Sequence, residues 1–303
     1  MSVTNIAARV SELAARQWGL LTTALAEAEG ITRLQLARLT NAGVIERLDR
    51  GIYAIPAAVD SHTPLRAAWL SLNPSELAEN RLADFLSSGV LSHTSAAALH
   101  GLGDLLDDEP EITVPERKQS RRGIRLHRAE LHADEVTIVE GLPVTTPACT
   151  VADLLRDGHD LSHVAQIAGD ALQRDLASRH ELAEALEPLA RRYGQSDGAA
   201  LLEYLLDIVG LSARSLATNL ASSELGKALV TAGQLSAIKS IIKAFPGIDI
   251  PHELLETLDA STVSASVEDR AFPTIDTEAV QKVLSAGVPT WLPEAIRSGP
   301  ASS

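Results

Sequence analysis

The sequence predicts an α+β protein that is mostly helical, with an N-terminal winged helix-turn-helix, a small central α/β region and a C-terminal helical region. Three observations predict it. Residues 18–55 carry the caps, turn residues and apolar spacing of two short helices followed by a hairpin. Short strand-like runs fall at 111–114, 123–127 and 136–139, and after Thr146-Pro147 apolar residues recur at a helical period. The expected divisions are residues 1–58, 59–146 and 147–297, with a flexible tail at 298–303. A chain of 303 residues is long enough for several such units and a substantial core.

Taken in order, Thr22 can cap a helix over 23–28, and Gly30 breaks it where a tight interhelical turn needs a positive φ. Thr32 begins the next helix, expected over 33–42, with Gln35 placed to complete a capping box and Gly43 just past its end. On a 3.6-residue wheel Leu36, Leu39, Thr40 and Gly43 share one face. Leu34, Ala37, Arg38 and Asn41 lie opposite, with Arg33 on the flank. Residues 44–48 and 52–55 read as strands joined by Asp49-Arg50-Gly51, a hairpin that would form the wing.

That second face is free to enter a groove. Thr32, Arg33, Arg38 and Asn41 are the candidate contacts to base edges or phosphates in double-stranded DNA, with Arg47 and Arg50 of the wing on the backbone. Leu34 reads only a thymine methyl there. The pattern alone also suits a partner-binding module or an ordinary solvated helix face.

After residue 56 a short linker leads to a helix containing Leu65, Ala68, Trp69 and Leu72. Ser92 or Thr94 can cap a helix through Leu99, closed by Gly101, before the three strand-like runs. Pro147 at the first helical position opens the helical part, whose apolar residues include Val151, Leu154, Val164, Ile167, Leu182 and Leu186. A helix after 194–197 should end near Gly210, and further helices are expected over 223–232, 235–244 and 278–285. Residues 260–276 read as loop.

The run from Trp18 to Ile55, with its GITRLQL turn and RGIYAI wing, resembles the N-terminal domain of AbiEi-type antitoxins of bacterial type IV toxin-antitoxin systems. Two further stretches, VLSHTSAAALHG at 90–101 and EGLPVTTP at 140–147, are similar to that family's second region in actinobacterial members. The resemblance implies a repressor that binds inverted repeats in its own promoter, self-associates on DNA and counteracts, directly or indirectly, a cognate nucleotidyltransferase-like toxin. It places neutralisation in the helical part by position alone. Some relatives carry a nuclease-like C-terminal domain, but no Asp followed by a Glu-x-Lys strand is evident here. The alternative is a winged-helix regulator or interaction module unrelated to a toxin.

A formal charge of -14 is unusual for a DNA binder, but it is unevenly placed. Residues 1–139 hold 14 basic and 18 acidic side chains, against 12 and 22 in residues 140–303. Salt screens distant charge beyond about 8 Å, so the local field decides. Between Ile31 and Tyr53 four arginines face two acids. About four phosphate contacts per copy predict weak binding that needs repeated half-sites. The single Cys149 excludes an internal disulfide and reads as a buried thiol. No apolar run approaches 18 residues and the start lacks a signal-peptide pattern, which predicts a cytoplasmic protein with no membrane association.

Residues 116–128 hold the densest positive run, with Arg117, Lys118, Arg121, Arg122, Arg125 and Arg128 against Glu116. It is a candidate auxiliary contact for nucleic acid or an acidic partner, or a solvated loop whose arginines pair with the acidic helical part. His93 and His100, seven residues apart, share a helix face but span about 10 Å, too far for one metal without another chain segment. Capping and interior hydrogen bonding are expected for them instead. The acidic stretch from Asp104 to Glu111 reads as a solvated loop, and Trp69, Tyr204 and Trp291 as core or interdomain packing. No catalytic residues, metal or cofactor are expected.

Overall fold

Helix α1 (Val3–Ala15) opens the structure, a computed structural model that describes residues 3–105, 109–116 and 123–222. It buries Ile6, Val10 and Ala14. Trp18 and Gly19 then take positive φ values of 53° and 81° and turn the chain into β1 (Leu20–Thr22), a strand absent from the sequence expectation. Only glycine fits at 19, because an added Cβ would lie 2.2 Å from that of Ala58.

The helix-turn-helix follows as expected, as α2 (Thr23–Ala28) and α3 (Arg33–Asn41). Thr22 caps α2 by accepting the Leu25 N–H at 3.2 Å, and Gly30 adopts φ 73° in the turn. Strands β2 (Glu46–Asp49) and β3 (Ile52–Ala54) form the wing around Gly51, with β3 central between β1 and β2 in an antiparallel sheet. Ile6, Val10, Leu21, Ala26, Ile31, Leu36, Leu39 and Ile45 make its core.

Helices α4 (Thr63–Leu72), α5 (Ala78–Ala83) and α6 (Phe85–Ser88) lead to a five-stranded mixed sheet. Its strands are β4 (Val90–Leu91), β5 (Glu111–Val114), β6 (Arg125–Arg128), β7 (Val136–Val139) and β8 (Leu142–Thr145), in the order β6-β5-β4-β8-β7. Helix α7 (His93–His100) follows β4 and ends at Gly101, φ 67°. Here the sequence expectation needs correcting. The second run begins later than 123 because Gly123 is left-handed, with φ 82°. Strands β4 and β8 escaped notice because one has two residues and the other contains Pro143, which counts against a strand. Ser92 sits at the N-cap of α7 but makes no capping bond; its hydroxyl accepts from Thr113 Oγ1 at 2.8 Å instead.

The two sheets share one core. Leu20, Ile52 and Ala54 of the winged helix pack with Trp69, Leu91, Ile112 and Val144 across residue 58. Trp18 lies edge-on to Trp69 at 6.1 Å and under the Arg66 guanidinium, which donates to the Glu140 carbonyl at 3.2 Å. Gly141 closes the joint, since a Cβ there would lie 2.7 Å from Trp18 Nε1.

The helical part contains α8 (Pro147–Asp157), α9 (Leu161–Gln173), α10 (Arg179–Leu186) and α11 (Gly198–Ile208). Thr146 caps α8 through the Cys149 N–H, and Cys149 is buried as expected. Residues Glu187–Tyr193 tighten into a 3-10 helix within the part where the sequence predicts helical spacing, because Pro188 follows the end of α10. Tyr204 is 40% exposed, so it is not core. Residues 1–209 form one compact unit and 210–303 a second, whose described part holds α12 (Ala213–Ser222). The helices expected over 223–232, 235–244 and 278–285, the 260–276 loop, Trp291 and the tail lie outside the described residues.

Candidate nucleic-acid interface

The α3 helix is oriented by its ends and its inner face. Thr32 Oγ1 accepts the Gln35 N–H at 3.3 Å while Gln35 Oε1 accepts the Thr32 N–H at 2.8 Å, the reciprocal capping box. Leu36 and Leu39 are at most 1% exposed, which turns Leu34, Ala37, Arg38 and Asn41 into solvent. Leu34 is 62% exposed, an apolar residue on an otherwise polar outer face. Among the described residues nothing engages the side chains of Arg38 and Asn41 by hydrogen bond or ion pair.

Arg33 is differently placed. Its Nε donates to Glu27 Oε1 at 2.7 Å across the turn, and that bond and charge raise its pKa. To reach a phosphate it must exchange one anion for another. On the wing, the Thr23 N–H donates to the Gly51 carbonyl at 2.8 Å and ties the hairpin turn to α2. Arg47 Nε donates to the Asp49 carbonyl at 3.2 Å, and Asp49 Oδ1 accepts the Arg50 N–H at 2.6 Å. Both guanidinium groups sit on exposed residues.

The second basic run is only partly described. Arg117, Lys118, Arg121 and Arg122 lie outside the described residues, as do Asp107 and Asp108 of the acidic stretch. Arg128 is exposed at the end of β6, whereas Arg125 is committed to Asp157 of the helical part at 2.7 Å.

That pair borders a polar cluster that the sequence expectation missed. Glu111, the last residue of the acidic stretch read as a solvated loop and the first of the expected 111–114 strand, is 4% exposed on β5. It accepts from Thr94 Oγ1 at 2.6 Å and bonds His127 Nε2 at 2.5 Å. Burial alone would raise its pKa, but these bonds and the imidazoles outweigh it and hold the carboxyl below the usual carboxylate range. The His93 ring stacks on His127 with centroids 3.6 Å apart, and its Nδ1 lies 2.9 Å from Ser92 Oγ. Burial and the neighbouring His127 push the His93 pKa down. His93 also has a positive φ of 53°, a strained conformation that histidine tolerates better than most residues. His100 is elsewhere, its Nε2 2.8 Å from the Thr145 carbonyl. Positions 93, 127 and 157 are too distant in the chain, and too plain in local pattern, for spacing to have joined them.

Comparison with known proteins gives two regions of agreement. A family model described as a transcriptional regulator, AbiEi antitoxin, matches residues 8–56, and one described as the AbiEi antitoxin C-terminal domain matches residues 87–208. No curated protein matches. The crystal structure of the RV2827C protein from Mycobacterium tuberculosis is 21% identical, with a TM-score of 0.42, over 70% of this chain and 80% of that one. The first matched region spans the helix-turn-helix and wing, the second runs from the start of the five-stranded sheet through α11, and the chain belongs to the AbiEi antitoxin family.

Proposed function

We propose that the protein is a DNA-binding antitoxin that represses its own operon from inverted repeats and counteracts a cognate nucleotidyltransferase-like toxin. The observation that carries the DNA reading is the outer face of α3, where Arg38 and Asn41 stand exposed on a helix pinned by a capping box. A guanidinium suits guanine O6 and N7, and an asparagine amide suits adenine N6 and N7. Arg47 and Arg50 supply backbone contacts, and Arg33 joins them once Glu27 releases it. The helical part is the region assigned to toxin neutralisation, and no catalytic role is assigned to it.

Two variants separate the arms of this reading. An Arg38→Ala/Asn41→Ala double variant should lose sequence-specific binding in a mobility-shift assay on its upstream region, by about 2–6 kcal/mol for two bidentate contacts. The same variant, co-expressed with the adjacent gene, should still rescue growth. Retained specific affinity would refute the assignment of α3, and lost rescue with intact folding would refute the division of labour.

A further inference from the structure

We infer that Leu34 makes the outer face of α3 a reader of pyrimidine C5-methyl groups, so that methylation of a cytosine within the bound sequence alters affinity. The inference rests on the DNA reading of α3 proposed above and names what a third side chain of that face recognises. A single exposed leucine needs no explanation in itself. What sets Leu34 apart is where it stands. It is 62% exposed, more than any other large hydrophobic residue among those described. It also lies in one row with Arg38 and Asn41, at i, i+4 and i+7 on the same face. That row spans about 10 Å along the helix axis, close to about three base-pair steps.

Leu34 has no part in holding the helix. The positions of a hydrophobic staple at the start of α3 belong to Ile31 and Leu36, both at most 1% exposed in the winged-helix core. The capping box of Thr32 and Gln35 fixes the first turn, and with it the direction of the Leu34 Cα–Cβ bond. Arg33 is drawn aside by Glu27 at 2.7 Å, and Ala37, one turn on, is small and exposed. The leading turn of α3 therefore offers an apolar surface at the end of the helix that meets base edges in helix-turn-helix complexes. In the major groove the apolar group on a base edge is the thymine C5-methyl, set among donors and acceptors. Against that methyl Leu34 gains buried apolar area. Against the polar atoms of the other bases it strips water without replacing their hydrogen bonds. A 5-methylcytosine carries its methyl at the same ring position, so Leu34 meets it in the same way.

The test uses full-length protein and the upstream duplex, with the bound half-sites located by footprinting. Thymines are replaced one position at a time, in both half-sites, by deoxyuridine, which removes the methyl and nothing else. At one position the replacement should weaken binding about fourfold per half-site, the worth of one buried methyl group. Leu34→Ala suits an exposed helix position and is compatible with folding. It should weaken binding to the thymine duplex by the same factor and bind the thymine and deoxyuridine duplexes equally. With cytosine at that position, C5 methylation should tighten binding of the wild type and leave the variant unaffected. A variant that keeps full affinity for the thymine duplex would overturn the inference. So would one that still loses affinity when thymine becomes deoxyuridine, which would assign the methyl to another side chain. Failure of the wild type to form a sequence-specific complex on the unmodified duplex would overturn the DNA reading itself and this inference with it.

Discussion

At the scale of single residues, the proposed interface divides contacts that would add charge from contacts that would read sequence. Arg50 is exposed at the wing tip, and its backbone N–H is the part held by Asp49. Arg50→Ala should therefore weaken binding to specific and random duplexes alike, and lower the slope of log K against log salt by about 1. A salt titration checks this, and an unchanged slope would remove the wing arginine from the interface. His100 offers a different readout. Burial depresses its pKa below 6.5, outweighing the Thr145 carbonyl that favours protonation. The unfolded chain then binds the proton at a higher pH than the native protein does. Stability is fully present above about pH 6.5 and is lost as pH falls through that value. Urea unfolding should show His100→Gln with a flatter loss between pH 7 and pH 5 than the wild type.

At the scale of elements, local signals were read well and short buried strands were not. The capping box of α3, the left-handed Gly30 and Gly43 and the Thr146-Pro147 start of α8 are all recorded within a few residues of chain. Strand β4 is a two-residue segment defined by partners 21 to 53 residues away, Thr113 and Val144 among them. Nothing within Val90-Leu91 itself carries that information. Helices α5 and α6 depend on similar long-range support. Arg81, 1% exposed, donates to the carbonyls of Trp69 and Ser88, both at 2.9 Å, and lies 3.6 Å over the Trp69 ring. Arg81→Ala would strand both carbonyls and should cost about 3 kcal/mol in chemical denaturation. The α10–α11 crossing is equally unforgiving. A Cβ at Gly198 would fall 1.9 Å from the Ala183 carbonyl oxygen, so Gly198→Ala should cost at least about 2 kcal/mol despite its gain in helix propensity. Unchanged stability in either variant would show that the neighbouring backbone gives way at little cost.

At the scale of the whole molecule, the acidic balance and the proposed reading face are compatible because they are separated along the chain. Four arginines per copy support only a shallow salt dependence, and two copies on an inverted repeat would double it, to a slope of about -7. The candidate site was therefore legible where it consists of one helix and one hairpin. The separate polar cluster of His93, Glu111 and His127 was illegible, because its meeting depends on the five-stranded sheet. The joint built from Trp18, Trp69, Arg66 and Gly141 bears on how such proteins can be recombined. A winged helix on a slack tether can be exchanged between relatives like an interchangeable tool bit, whereas this one lends Leu20, Ile52 and Ala54 to the core of the neighbouring sheet. Grafting residues 1–58 onto a foreign sheet would expose Leu20, Ile52 and Ala54 unless Trp69, Arg66 and Gly141 travelled with them, so on the proposed reading a change of operator preference would be reached more readily through Arg38 and Asn41 than by trading the whole head.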